Sequence, residues 1–451
     1  MSEDKTKPNE TTTEYPIKIE QLRPGVFIRI TSTSWLDHPF LMNSFKITDK
    51  EQIKVLRQLK IDSVIFVPSK SDVFPLLETD SSPEINITAP DPQKDEQTKK
   101  LWEEKQKRIE KQKIHRKKIA ACQKKFSASV ETVKNVMKNI EGGRLESVTE
   151  ADDLLQSIIA DLLIERDTTV QLMSTTPEGE GMFYHSLNVS VLAMMLGKEH
   201  GLNKEELRIL GMGALFHDVG KHKVPKNILY KPTPLSKFEL DILRCHPAYG
   251  VDTVKPMVKN GTFPDEALWI IQDHHERVDG SGYPSGRKGS SLSILARIVS
   301  IVDRYDNLCN NPVDQTKSVT PHEAVAHMFK SERERFDNAL LQRFIAYLGV
   351  YPPGTIVKTN SGVIGMVITV NSTQSLKPSL LIYDSDIPKA EALIFDLAED
   401  NSLSICGTIR PHELPQEIYD YLSPRTRVSY FIAAQDKKQQ STPKAATPQK
   451  K

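Results

Sequence analysis

Between residues 151 and 348 apolar side chains recur every third or fourth position, which confines this stretch to packed helices. Leu154, Leu155, Ile158, Ile159, Leu162 and Leu163 follow that spacing. So do Leu187, Val191, Met194 and Met195, then Leu207, Leu210, Met212 and Leu215. The methionines read as core filler. Pro225, Pro232, Pro234 and Pro247 mark helix ends, because proline lacks the amide donor a helix interior needs. Another amphipathic segment spans residues 292–308.

The flanks have a different period. Ile17-Lys18-Ile19 and Val26-Phe27-Ile28-Arg29-Ile30 read as short strands broken by Pro24-Gly25. Phe45-Lys46-Ile47 and Ser63-Val64-Ile65-Phe66-Val67 add two more, and Asp49 can cap a helix reaching about Lys60. Residues 16–68 thus form a small α+β domain after a disordered start over residues 1–15. Residues 69–98, rich in Ser, Asp and Pro, read as a linker. Residues 99–150 begin with a long Lys- and Glu-rich helix, read as a solvated connector that offers a surface to a second copy. After Pro352-Pro353-Gly354 a β-rich unit covers residues 352–425, with a hairpin turning at Asn360-Ser361-Gly362. The tail, residues 436–451, reads as disordered. The chain is therefore expected to be multidomain: a central all-α helical bundle between a small α+β domain and a small β unit.

Bulk properties exclude several classes. A net charge of +1 over 451 residues gives no general pull toward nucleic acid or acidic membrane. No apolar run reaches the roughly 20 residues that span a bilayer, and the first residues carry no secretory-type apolar stretch. A cytoplasmic protein is expected. Cys122, Cys245, Cys309 and Cys406 lie too far apart to suggest zinc or a disulfide framework.

Chemistry concentrates in two runs, His217-Asp218-Val219-Gly220-Lys221 and His274-His275-Glu276-Arg277-Val278-Asp279-Gly280-Ser281-Gly282-Tyr283-Pro284. Imidazole, a carboxylate able to bridge two cations and a nearby ammonium suit metal-assisted phosphate cleavage. Adjacent helical residues point about 100° apart, so His274 and His275 would not both serve one buried surface. At a helix terminus both can turn to one metal. His185 opens an amphipathic helix, and His246 precedes Pro247 at the close of the helix beginning near Ser236. Asp303 follows Ile298-Val299-Ser300-Ile301-Val302, where an unpaired carboxylate is costly and a cation would offset it. His38, His115, His200, His222, His322, His327 and His412 read as structural.

Together with Ala296-Arg297-Ile298 and Asp303-x-Tyr305-Asp306, these runs resemble the HD-GYP domain, a subclass of the HD phosphohydrolases, over residues 151–348. Ile19-Glu20-Gln21-Leu22-Arg23-Pro24-Gly25 and Trp35-Leu36-Asp37-His38-Pro39-Phe40 are similar to a small domain of unknown function often found ahead of bacterial HD-GYP domains. The resemblance implies a helical bundle around two iron or manganese ions. One would be held by His185, His217, Asp218 and Asp303, the other by His246, His274 and His275, with Asp218 bridging. It implies hydrolysis of cyclic di-GMP to pGpG or GMP, with cyclic GMP-AMP as an alternative substrate. Asp218 and Lys221 would be catalytic. Lys221, Arg277, Gly282, Tyr283 and Pro284 would lie at the substrate, and the loop carrying Tyr283 could also receive a diguanylate cyclase partner. Two departures follow. Gly181 replaces the glutamate that helps to hold a third metal in some members, so two metals are expected. Cys309-Asn310-Asn311-Pro312 replaces a basic, phosphate-contacting segment. A non-catalytic adaptor that responds to cyclic di-GMP is the alternative from another functional class.

Overall fold

The structure, a computed structural model, describes residues 14–32, 37–40, 42–59, 61–77, 92–142, 144, 148–164, 169–172, 181–311, 317–370, 374, 376–385, 387–389, 392–398, 403–422 and 430–433. Residues 1–13 and 436–451 of the ends expected to be disordered, residues 78–91 of the linker, Trp35, Leu36 and Pro312 lie outside the described residues, whereas Tyr15, expected in the disordered start, lies in a strand. Contacts divide the chain into two compact units: residues 1–115, 356–366 and 380–423, and residues 116–355, 367–379 and 424–451.

In the first unit, β1 (Tyr15–Lys18), β2 (Phe27–Arg29), β3 (Ser44–Lys46) and β4 (Ser63–Phe66) form an antiparallel sheet in the order β1-β4-β2-β3. Tyr15 and Ile28 both register with Phe66. Helix α1 (Lys50–Gln58) is capped by Asp49, whose carboxylate accepts from the Gln52 amide. It closes a core containing Ile17, Ile28, Ile30, Leu56 and Val64. Helix α2 (Pro92–Glu141) begins inside the stretch read as linker. Lys105, read as a solvated charge, is 1% exposed and its ammonium donates to the His38 carbonyl. His38 Nε2 meets Asn43 Oδ1 at 2.8 Å, a structural role.

The second unit starts with the last turns of α2. Cys122, Phe126, Val130, Val133, Met137 and Ile140 are buried along one face, so this half of the helix is core and not a solvated connector. The apolar spacing there continues into α3 (Val148–Ile164). Next comes β5 (Thr169–Leu172), a strand within the stretch expected to be mostly helical. The bundle continues with α4 (Gly181–His200), α5 (Lys204–Phe216), α6 (Lys226–Leu229), α7 (Lys237–Leu243), α8 (His246–Lys259), α9 (Ala267–Asp273), α10 (Ile294–Cys309), α11 (Pro321–Ser331) and α12 (Asn338–Leu348). Helix α4 is buried on nearly every side and packs on α5, α10 and α12. Ser236 caps α7, which ends at Leu243; His246 opens α8 instead of closing the preceding helix. Pro247 fits the first turn because no amide donor is needed there.

Strands β6 (Ile356–Thr359) and β7 (Ile364–Val370) make the expected hairpin, with Gly362 in the left-handed region at φ 78°. In the first unit β8 (Ser379–Ile382) pairs with β7 and with β9 (Ile394–Asp396), β10 (Ile405–Ile409) pairs with β6, and α13 (Gln416–Leu422) follows. In the second unit the end of β7 pairs with β5, which also pairs with β11 (Tyr430–Ala433). The architecture is thus a mostly helical domain with two small antiparallel sheets. No helix of the described residues is long and apolar enough to cross a membrane.

Candidate metal centre

The ends of α5 and α9, the start of α8, the first turns of α4 and the middle of α10 converge. They bring together two ligand-capable groups: Asp218, His246, His274 and His275, and His185, His217 and Asp303. Helix termini supply most of them, and the reason is local. A histidine at the end of a helix can fold its ring back onto a carbonyl that lacks an intrahelical partner. His217 Nδ1 donates to the Ala214 carbonyl at 2.7 Å and His274 Nδ1 to that of Ile271 at 2.9 Å. His246 Nδ1 does the same to Leu243 at 2.7 Å. Each bond places the proton on Nδ1 and aims the Nε2 lone pair inward, as a metal ligand requires.

The inward nitrogens crowd one another. His185 Nε2 lies 3.2 Å from His217 Nε2, and His246 Nε2 lies 3.2 Å from His274 Nε2. Asp218 sits between the groups. Its Oδ2 is 3.4 Å from His217 Nε2 and 3.6 Å from His185 Nε2; its Oδ1 is 3.3 Å from His246 Nε2 and 3.7 Å from His274 Nε2. Asp303 also faces both sides, with Oδ1 3.3 Å from His185 Nε2 and Oδ2 3.6 Å from His275 Nδ1. Asp218 Oδ1 is buried and accepts no hydrogen bond among the described residues. Paired lone pairs beside an unsatisfied buried carboxylate oxygen are what a divalent cation would resolve. The residues therefore fit a metal centre.

Charge distribution agrees with that reading. Burial opposes the charged form of Asp218, yet Lys221 and His217 hold it well below the usual carboxylate range. Asp303 is held low against burial by His185 and His217. Burial disfavours a charged His217, but Asp218 and Asp303 push it up to about 10, so this acidic nest favours positive charge. Burial, reinforced by neighbouring imidazoles, keeps His274 and His275 well below the ordinary histidine value and neutral.

Lys221 Nζ donates to Asp218 Oδ2 at 2.5 Å. The Tyr283 ring lies 4.7 Å from that of His275, tilted by 31°. Arg277 donates to the Glu276 carbonyl at 3.1 Å and Ser300 Oγ at 3.2 Å, and its guanidinium lies 5.0 Å from the Phe336 ring centre. Gly282 packs against backbone, since a Cβ there would lie 2.4 Å from Arg277 N. The Tyr283-Pro284 peptide is cis.

Sequence reasoning missed the supporting residues. Asp306 Oδ2 accepts from His185 Nδ1 at 2.5 Å, and Asn188 and Asn310 both donate to its Oδ1. Glu276 accepts from the amides of Ser285 and Arg287 and ties the loop shut. Both carboxylates stood in the quoted motifs, Glu276 directly after His275 and Asp306 three residues after Asp303.

Two families match the chain: one described as a domain of unknown function, DUF3391, at residues 15–151, and one described as HD domain at residues 155–340. The chain is 26% identical over 374 residues to the cyclic di-GMP phosphodiesterase PA4108 of Pseudomonas aeruginosa, covering 82% of this chain and 85% of that protein. It is 30% identical over 209 residues to the cyclic di-GMP phosphodiesterase response regulator RpfG of Xanthomonas campestris pv. campestris, covering 46% of this chain and 52% of the relative. A 3'3'-cGAMP-specific phosphodiesterase 1 of Vibrio cholerae is 36% identical over 126 residues, 28% of each chain. The chain thus matches the HD domain family over residues 155–340 and the DUF3391 family ahead of it, over residues 15–151.

Proposed function

We propose that this chain is a cytoplasmic HD-GYP-type phosphodiesterase that hydrolyses cyclic di-GMP to pGpG or GMP. The observation that carries the reading is Asp218, with one carboxylate oxygen facing each imidazole group. His185, His217 and Asp303 would hold one divalent cation, His246, His274 and His275 a second, and Asp218 would belong to both. Mixed nitrogen and oxygen donors suit iron or manganese better than magnesium. Such a pair, when bound, supplies Lewis acidity to a phosphodiester and lowers the pKa of water.

The chain's own residues do the rest. Asp218 and Asp303 keep their negative charge and so favour cations over protons. Lys221 places an ammonium beside Asp218, where it can stabilise charge that develops on phosphate oxygens. Tyr283 lies against the His275 ring and covers one side of it. Arg277 orders the loop that carries Tyr283. The names of the relatives favour cyclic dinucleotides as the substrate class and keep cyclic GMP-AMP as the competing substrate. Pairing of two copies along α2 and docking of a diguanylate cyclase on the Tyr283 loop belong to the same reading.

The test is product identification from cyclic di-GMP and cyclic GMP-AMP, using purified protein with manganese or, anaerobically, ferrous iron. A linear product is expected. Tight binding of cyclic di-GMP with no linear product would establish the adaptor instead.

A further inference from the structure

We propose that Arg244 receives the second, uncleaved phosphodiester of a cyclic dinucleotide while the first lies at the His/Asp centre; this rests on the phosphodiesterase reading above. A cyclic dinucleotide carries two phosphodiester anions, and a single hydrolytic centre engages one at a time. The other is brought against the protein and needs a cationic partner there.

Most cations near the centre are already engaged. Lys221 is held by Asp218 at 2.5 Å. Arg277 serves loop carbonyls and Ser300. Arg287 pairs with Asp273 at 3.0 Å, and Arg304 binds both oxygens of Glu332. At the end of α10, Asn310 donates to Asp306. Arg244 differs. It is exposed at the junction of α7 and α8, two residues before His246. Its guanidinium lies 5.3 Å from the centre of the Tyr283 ring, and that ring lies against His275. Among the described residues its side chain meets no carboxylate or carbonyl.

The contact with Tyr283 is a cation–π contact that occupies none of the guanidinium N–H donors with an acceptor oxygen, so they remain available. Two of those donors match two phosphate oxygens in a bidentate pair. Tyr283 thus acts as a rest that holds Arg244 one ring away from the ligand His275.

The experiment compares wild type, Arg244→Gln and Arg244→Lys, all loaded with manganese, on cyclic di-GMP and on bis(p-nitrophenyl) phosphate, which has a single phosphodiester. For Arg244→Gln the KM for cyclic di-GMP should rise about tenfold or more, with kcat within about twofold, as expected for loss of a charge-assisted pair to an unreacting group. Arg244→Lys should recover part of that loss. Hydrolysis of bis(p-nitrophenyl) phosphate should be unchanged in both variants. An unchanged KM for cyclic di-GMP, or an equal loss on both substrates, overturns the assignment. If wild type cleaves neither cyclic di-GMP nor cyclic GMP-AMP, the phosphodiesterase reading fails separately. Equilibrium dialysis with cyclic di-GMP then decides: weaker binding by Arg244→Gln sustains the contact, and equal or absent binding in both proteins rejects it.

Discussion

His246 Nε2 and His274 Nε2 face each other at 3.2 Å, while the far nitrogen of each ring is bonded to a carbonyl of its own helix end. Two lone pairs held in that opposition repel unless a cation lies between them. Manganese should therefore stabilise the protein: at a free concentration one hundred times the Kd, by about 2.7 kcal/mol. A melting scan with manganese and with a chelator checks this. His274→Ala should lose most of the shift, and an equal shift in wild type and variant would contradict the centre.

His185 depends on a carboxylate from another helix. Asp306→Asn should leave the fold intact but loosen His185, because Asp306 accepts its Nδ1 proton at 2.5 Å. Metal affinity should fall about 10- to 100-fold, the usual effect of removing such a partner. Competition against a coloured chelator measures it, and unchanged affinity would show that Asp306 plays no part in aiming the ring.

Gly220 has no room for a side chain. A Cβ there would lie 2.1 Å from the His246 carbonyl oxygen and 2.3 Å from Gly250 N, both backbone atoms. Gly220→Ala should destabilise the helical domain by about 3 kcal/mol or more, as a forced shift of packed backbone does. Gly407→Ala, with nothing within 4 Å, is the matched control. Urea unfolding compares them, and similar midpoints would refute the close packing.

Lys105 ties stability to pH. Burial lowers its ammonium from 10.5 to about 8 in the folded protein. Between those values the unfolded chain holds the proton that the folded chain has released, so stability attributable to Lys105 rises with pH through that window. Below about 8 this contribution is at its least favourable. Lys105→Met should flatten the rise in a series of unfolding curves, and the same slope in both proteins would count against a buried ammonium.

The residues that now meet at the centre were visible in the sequence because imidazoles and carboxylates cluster locally at helix ends, where periodicity breaks. Asp306 and Asn188 were not assigned, since they join through a contact 118 residues apart that no local pattern encodes. Strand β5 was hidden for the same reason. Four residues are too short to display a period, and its pairing partners in β7 and β11 come far later in the chain. The end of α2 was misjudged because its charge-crowded first half set the reading of the whole helix, whereas Phe126, Val133 and Val136 face a core. Strands β10 and β11 and helix α13 carry weak patterns and went unread.

The backbone pinch at Gly220 fixes more than packing. It clamps the segment bearing His217 and Asp218 directly onto the start of α8, which bears His246, with main chain touching main chain. The separation between the two halves of the donor set is thereby locked by atoms that every amino acid shares. Selection can exchange the donors but cannot readily stretch the gap, so a change in preferred ion would have to come through ligand identity and not through spacing.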